Sequence, residues 1–199
     1  MTKQRVLRAV LWAAAAALLV VLALRDVQLD RTVTVEADVV RNRTTPYLTA
    51  FGPPPRVARQ PEQSEVFLVG EPVYVNLRLP RWFRRITVTL RYDNEHQVPF
   101  RVGVRTHPER WEFDVKTVDG GVVGDAVLVQ HPDVVRAGLP GEVGVVQIPF
   151  TLQRAWQVER NVYRVIFSAP GVSPARPIRI RALSVTAERD PFCLGPWCL

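Results

Sequence analysis

Residues 71–118 read EPVYVNLRLPRWFRRITVTLRYDNEHQVPFRVGVRTHPERWEFDVKTV, and the alternation within them decides the fold class. Val73, Val75, Leu77 and Leu79 share one parity, and Tyr74, Asn76 and Arg78 the other. Ile86, Val88, Leu90 and Tyr92 alternate with Thr87, Thr89 and Arg91. Val98, Phe100, Val102 and Val104 alternate with Arg101, Gly103 and Arg105, and Trp111, Phe113 and Val115 with Glu112, Asp114 and Lys116. A period of two sends successive side chains to opposite faces, so each run predicts a strand with one dry and one wet face. Turn chemistry at Leu79-Pro80-Arg81, Asp93-Asn94-Glu95 and Thr106-His107-Pro108 separates the runs. Four such strands in succession predict an antiparallel meander.

The same pattern extends outward. Thr32 to Val40 alternates and predicts a first strand; Tyr47 to Phe51 predicts a short one. Gly52-Pro53-Pro54-Pro55 and the residues to Gln63 predict a stiff polyproline-like connection. Further strands are expected at Ala126 to Gln130, Val146 to Leu152, and Tyr163 to Phe167. Pro149 cannot donate to a ladder, which puts it at an edge or a bulge. In Ile178 to Ala187 the apolar parity slips by one residue between Ile180 and Leu183, the signature of a bulge near Arg181-Ala182. No amphipathic helix is expected beyond Leu24. Eight to ten short strands with regular turns predict an all-β fold, a sandwich or a barrel.

The runs Asn161-Val-Tyr-Arg-Val-Ile-Phe-Ser-Ala-Pro-Gly171 and Ile178-Arg-Ile-Arg-Ala-Leu-Ser-Val-Thr186 resemble the closing strands of galactose-binding-like jelly rolls, the sandwiches that serve as carbohydrate-binding modules. The resemblance covers about residues 143–187 and rests on pattern, with no diagnostic motif. It implies an antiparallel jelly-roll-like β-sandwich and a non-catalytic carbohydrate-binding role. The central segment is also similar to exported, single-anchor bacterial proteins, a resemblance that implies no mechanism.

Ala9 to Leu24 is an uninterrupted apolar run, preceded by Lys3, Arg5 and Arg8 and closed by Arg25-Asp26. A hydrocarbon core about 30 Å thick needs about 20 helical residues, so the run predicts one transmembrane helix, and the basic flank puts the N-terminus in the cytoplasm. The rival reading is a cleaved signal peptide with its site at Val21-Leu22-Ala23; either way the body is exported. The expected organisation is a cytoplasmic flank (1–5), a transmembrane helix or uncleaved signal anchor (6–25), an extracytoplasmic sandwich (26–189) and a cysteine-containing tip (190–199) in the cell envelope.

The formal charge of +7 shrinks once Lys3, Arg5 and Arg8 are set aside, leaving 23 basic residues against 19 acidic. So mild a balance, spread along the domain, argues against a nucleic-acid partner and suits an anionic lipid or envelope polymer. His96, His107 and His131 sit in turns, and no spacing brings two onto one element as metal ligands. Ser64, Ser168, Ser173 and Ser184 lack a nucleophile-elbow context. Glu112 and Asp114 read as the wet face of a strand rather than as a glycosidase pair. No enzyme, metal or cofactor is expected.

Two stretches stand out. Trp82-Phe83-Arg84-Arg85 sets two large aromatics beside a pair of arginines, a composition that can stack on the apolar face of a sugar and fork onto its anionic groups. The competing reading has Trp82 or Phe83 plugging the end of the sandwich. Cys193 and Cys198 close the chain, and in an oxidising setting they predict a disulfide around Gly195-Pro196. That disulfide would fix Phe192, Leu194 and Trp197 as an apolar tip, either tucked on the sandwich or offered to a protein partner. The leading expectation is binding of a glycan or envelope polymer; the alternative is an interaction subunit of a membrane or secretion assembly.

Overall fold

The computed structural model describes residue 8 and residues 11–19, 31–59, 64–80, 82–137 and 143–190, with the backbone of 193–194 and 197–198. The chain divides into two units, Met1–Arg31 and Thr32–Leu199. In the first, Arg8 and residues 11–19 are helical and exposed. Among the described residues no helix is long and apolar enough to cross a membrane; half of the expected 6–25 span lies outside them.

The second unit is built of strands. In chain order they are β1 (Thr32–Glu36), β2 (Val57–Arg59), β3 (Val66–Leu68), β4 (Val73–Arg78), β5 (Phe83–Asp93), β6 (Phe100–Arg105), β7 (Phe113–Asp119) and β8 (Gly121–Val123). They continue as β9 (Ala126–Leu128), β10 (Val135–Ala137), β11 (Gly144–Thr151), β12 (Gln157–Glu159), β13 (Val162–Ser168), β14 (Ile178–Arg189), β15 (Cys193–Leu194) and β16 (Trp197–Cys198). The larger sheet runs β10-β11-β5-β14-β3-β2, with β1 also on β14; the smaller runs β12-β13-β6-β7, with β4 also on β13. Both are antiparallel throughout, and together they form a β-sandwich. Val165 pairs with both Val75 and Val104, which fixes β4 and β6 on opposite edges of β13. Val185 pairs with both Val88 and Val35, while Ile180 pairs with Tyr92 and Val66. Strands β1 and β3 therefore lie end to end along one edge of β14, with β5 along the other.

The inward parities form one core. Val75 and Leu77 from β4, Val102 from β6 and Val165 from β13 meet Val88 and Leu90 from β5, Ile148 from β11 and Val185 from β14, all essentially inaccessible. Each such side chain contributes about 1.5–3 kcal/mol by leaving water. The bulge expected near Arg181-Ala182 is present as a register shift between Ile180 and Ala182 against β5. Pro149 faces Thr87 on β5, and β10 pairs only as far as Gln147, so the proline sits where the outer edge is free.

The expected meander is corrected. Strand β4 belongs to the smaller sheet and β5 to the larger, β6 returns to the smaller, and only β6 and β7 pair as neighbours. Alternation reports which side chains face a core, but not which strand lies alongside, so a crossing between sheets reads like a hairpin. The proline run is also more compact than a polyproline connection: Pro54–Arg56 form a 3-10 turn leading directly into β2. The expected 47–51 strand appears as isolated bridges, Leu48 to Leu77 and Gly52 to Tyr74, along the free edge of β4.

The parity of β7 is corrected as well. Trp111 (65% exposed) and Val115 (43%) face outward, while Lys116 and Val118 are buried. Val115 pairs with Gly103, where a Cβ would stand 2.9 Å from Val115 Cγ2 and from the Asp114 carbonyl. Glycine thus leaves the room in which Val115 lies over β6. Lys116 points inward, its ammonium 5.6 Å from the Phe150 ring centre and donating to Asp133 Oδ2 at 2.7 Å. Its methylene stem covers apolar surface while its charge reaches a partner.

That hydrogen bond and the Lys116 charge hold the Asp133 carboxyl below its ordinary range. Its contribution is therefore complete above the unfolded value near pH 4 and is lost as pH falls through the lowered folded value. Asp133→Asn is expected to lower the melting temperature at neutral pH, with the deficit relative to the parent shrinking below about pH 4. Thermal unfolding across that range checks it; a deficit unchanged to low pH would contradict it.

Candidate functional site

The site forms where the sandwich strands end and the chain must turn. After β11, Leu152–Arg154 make a single 3-10 turn whose Leu152 is buried, closed by the Ala155 N–H donating to the Leu152 carbonyl at 3.1 Å. The next residue, Trp156, donates its backbone N–H to the Arg105 carbonyl at 2.7 Å, tying the turn to the end of β6. Strand β12 then pairs with β13 across a turn containing Asn161, whose φ of 64° lies in the left-handed region that asparagine tolerates. The Asn161 N–H donates to Gln157 Oε1 at 3.2 Å, and Gln157 Nε2 donates to the Tyr163 hydroxyl at 2.8 Å. These bonds fix the backbone at Trp156 and on its C-terminal side, and they leave Trp156 itself 41% exposed.

Around it lies an open groove of about 660 Å³. Phe83 and Leu152, both buried, form its floor, and Tyr163 closes one side. Gln153, Gln157, Glu159, Arg84 and Arg160 supply the polar lining. An indole, two side-chain amides, two guanidiniums and a carboxylate can stack a ring and hydrogen-bond its periphery in both donor and acceptor senses.

The four residues singled out in the sequence separate here. Phe83 is 1% exposed and plugs the sandwich end beneath the groove; Trp82 is 50% exposed on the turn before β5 and does not line the groove. Arg84 lines it, while Arg85 pairs with Thr151 and Glu188 within the sheet. Both guanidiniums lie 3.9 Å from carboxylate oxygens of Asp190. Cys193 and Cys198 face each other as backbone partners in the β15–β16 hairpin; their side chains, and those of Phe192, Leu194 and Trp197, lie outside the described ones. Trp156 and Gln157 went unnoticed in the sequence, and Tyr163 was read only as a strand residue. The available signal was a tryptophan placed in a connector between strands, with glutamine three residues before it and one after.

Elsewhere the polar chemistry is structural. Tyr92 donates to Asp119 Oδ2 at 2.9 Å, Asn94 donates to the same oxygen at 2.8 Å, and Arg136 pairs with Asp119. Burial, reinforced by the Asp119 charge, pushes the Tyr92 hydroxyl far up, so it remains a donor. His107 Nδ1 accepts from the backbone N–H groups of Glu109 and Arg110, and His131 Nδ1 from that of Asp133, so both cap local turns. Ser168 donates to Glu71 Oε2 at 2.9 Å and accepts from Arg101 at 3.2 Å. Among the described residues no group of three or more His, Cys, Asp or Glu is placed to hold a metal ion.

No family model matches the chain, and no curated protein does. Among solved structures it overlaps a family two carbohydrate esterase from Cellvibrio japonicus at 11% identity and a TM-score of 0.39, over 83% of this chain and 36% of the esterase. It also overlaps TmCBM27, a carbohydrate-binding module studied for specific mannan recognition, at 16% identity and a TM-score of 0.35, over 81% of this chain and 100% of the module. The chain thus spans about a third of the esterase's length. These likenesses are in keeping with the resemblance over residues 143–187.

Proposed function

We propose that this chain is a membrane-anchored, extracytoplasmic, non-catalytic binding protein of the cell envelope that holds a glycan or envelope polymer against Trp156. Its sandwich reads as a jelly roll: the order β11-β5-β14-β3 stacks on β7-β6-β13-β4, and the chain crosses between sheets from β3 to β4, β4 to β5, β5 to β6 and β13 to β14. The observation that carries the reading is Trp156, its backbone tied to Arg105 and its side chain lining an open groove with a mixed amide and charged rim. A sugar ring offers an apolar CH face to such an indole and a circle of hydroxyls to the amides, and the large flat side chain meets it at little entropic cost. Among the described residues Glu159 is the single carboxylate lining this groove, whereas glycoside hydrolysis ordinarily needs two across one bond.

The alternative is an interaction subunit of a membrane or secretion assembly. It is favoured by the β8–β9 hairpin, where Val122 and Val127 face one another at 67% and 74% exposure beside Val129 at 76%.

Titration with a panel of neutral and anionic polysaccharides checks the first reading. Saturable binding is expected, weakened on the order of tenfold or more by Trp156→Ala and less by Trp82→Ala, with melting temperature unchanged. Absence of binding across the panel, together with recovery of a stoichiometric protein partner lost on Val127→Asp, would favour the alternative. The anchor has its own check: the protein is expected to stay in the membrane pellet after alkaline extraction and to be cleaved by protease added from outside, and release into the supernatant would contradict it.

A further inference from the structure

Resting on that reading, we propose that the ligand is an extended, largely uncharged polysaccharide chain, laid across three joined depressions rather than a single sugar held at one. The central groove shares Gln153 and Ala155 with a second depression of about 710 Å³, which lies between the 152–154 turn and the ends of β6 and β7. On its other side it shares Glu159 with a third, of about 170 Å³, formed by residues 44–49 against Asn76 and Arg78 of β4. All three open at one end of the smaller sheet, because Leu77 pairs with Tyr163 and Phe113 with Arg105 at that end. The line from β4 past β13 and β6 to β7 crosses three strand spacings, roughly 14 Å at about 4.8 Å each. That is longer than one sugar ring and is matched by several linked in a chain.

Each depression also carries one aromatic ring that reaches solvent. Tyr47 (38% exposed) lines the smallest, Trp156 (41%) the central one, and half-buried Phe113 the largest. Three rings in a row suit a repeating ligand that offers an apolar face at each repeat, and they have no use for a lone monosaccharide. The charges set the ligand's character. Arg78, Arg84, Arg154 and Arg160 are nearly balanced by Glu112, Asp114 and Glu159 along the same path. A polyanion would meet carboxylates in the central and largest depressions, where each like-charge approach is unfavourable. A chain bearing hydroxyl and acetamido groups can instead use both signs as hydrogen-bond partners.

The test is calorimetric titration of the full-length protein in detergent with cello-, chito- and manno-oligosaccharides of increasing length, from one unit to the hexamer scale. For at least one series, affinity is expected to rise by about tenfold or more from dimer to hexamer. Tyr47→Ala and Phe113→Ala, each checked by thermal unfolding, should weaken the hexamer several-fold and leave the dimer unchanged, whereas Trp156→Ala weakens both. Equal affinity at all lengths, or hexamer binding indifferent to both flanking variants, would overturn the extended chain while leaving the Trp156 site standing. Binding confined to polyanions would overturn the uncharged chain. Binding of no saccharide at all would overturn the glycan reading itself.

Discussion

The long antiparallel contact between β5 and β14 is the constraint on which the rest of the sandwich depends. It runs from Phe83 opposite Arg189 to Asp93 opposite Arg179, and it carries β11 on one side and β1 and β3 on the other. Held in perfect register, β14 would fail, because its apolar residues change parity between Ile180 and Leu183. The shift at Ile180 and Ala182 absorbs the extra residue, so that Ile178 and Ile180 face the core before it and Leu183, Val185 and Ala187 after it. A one-residue slip without the bulge would turn half of that strand to water.

The groove follows from where this packing stops. Phe83, the first residue of β5, caps the core, and Leu152 caps it from the turn after β11, so the groove stands on a rigid apolar floor. The main chain that carries the wall is fixed too, since the Trp156 backbone is bonded to the end of β6 and Gln157 is bonded to Tyr163. A ligand would therefore meet a surface already arranged for it, which lowers the ordering cost of association.

Much of the fold was legible because a strand with one buried face must alternate. The parities of β4, β5 and β6, the bulge in β14 and the free edge at Pro149 were all readable from side-chain chemistry. Sheet membership was not, since β4, β5 and β6 alternate in the same way whether they pair or cross. Strand β7 misled for a different reason: Trp111, Phe113 and Val115 look like a core face, but Gly103 opens space for Val115 on the outside, and the lysine stem does the covering within. The site was half legible. Arg84 belongs to the groove, and Phe83 lies beneath it as a plug, the competing reading for that stretch. Trp156 carried no strand pattern to draw attention, and only the turn between β11 and β12 brings it beside Arg84.

The most direct test of the Trp156 groove is a proton–nitrogen spectrum of the protein with assigned indole signals, recorded while a binding oligosaccharide is added. The account predicts that the Trp156 indole signal moves saturably and by more than that of Trp82. An unmoved Trp156 signal alongside a saturating shift at Trp82 would contradict it and put the ligand on the turn before β5.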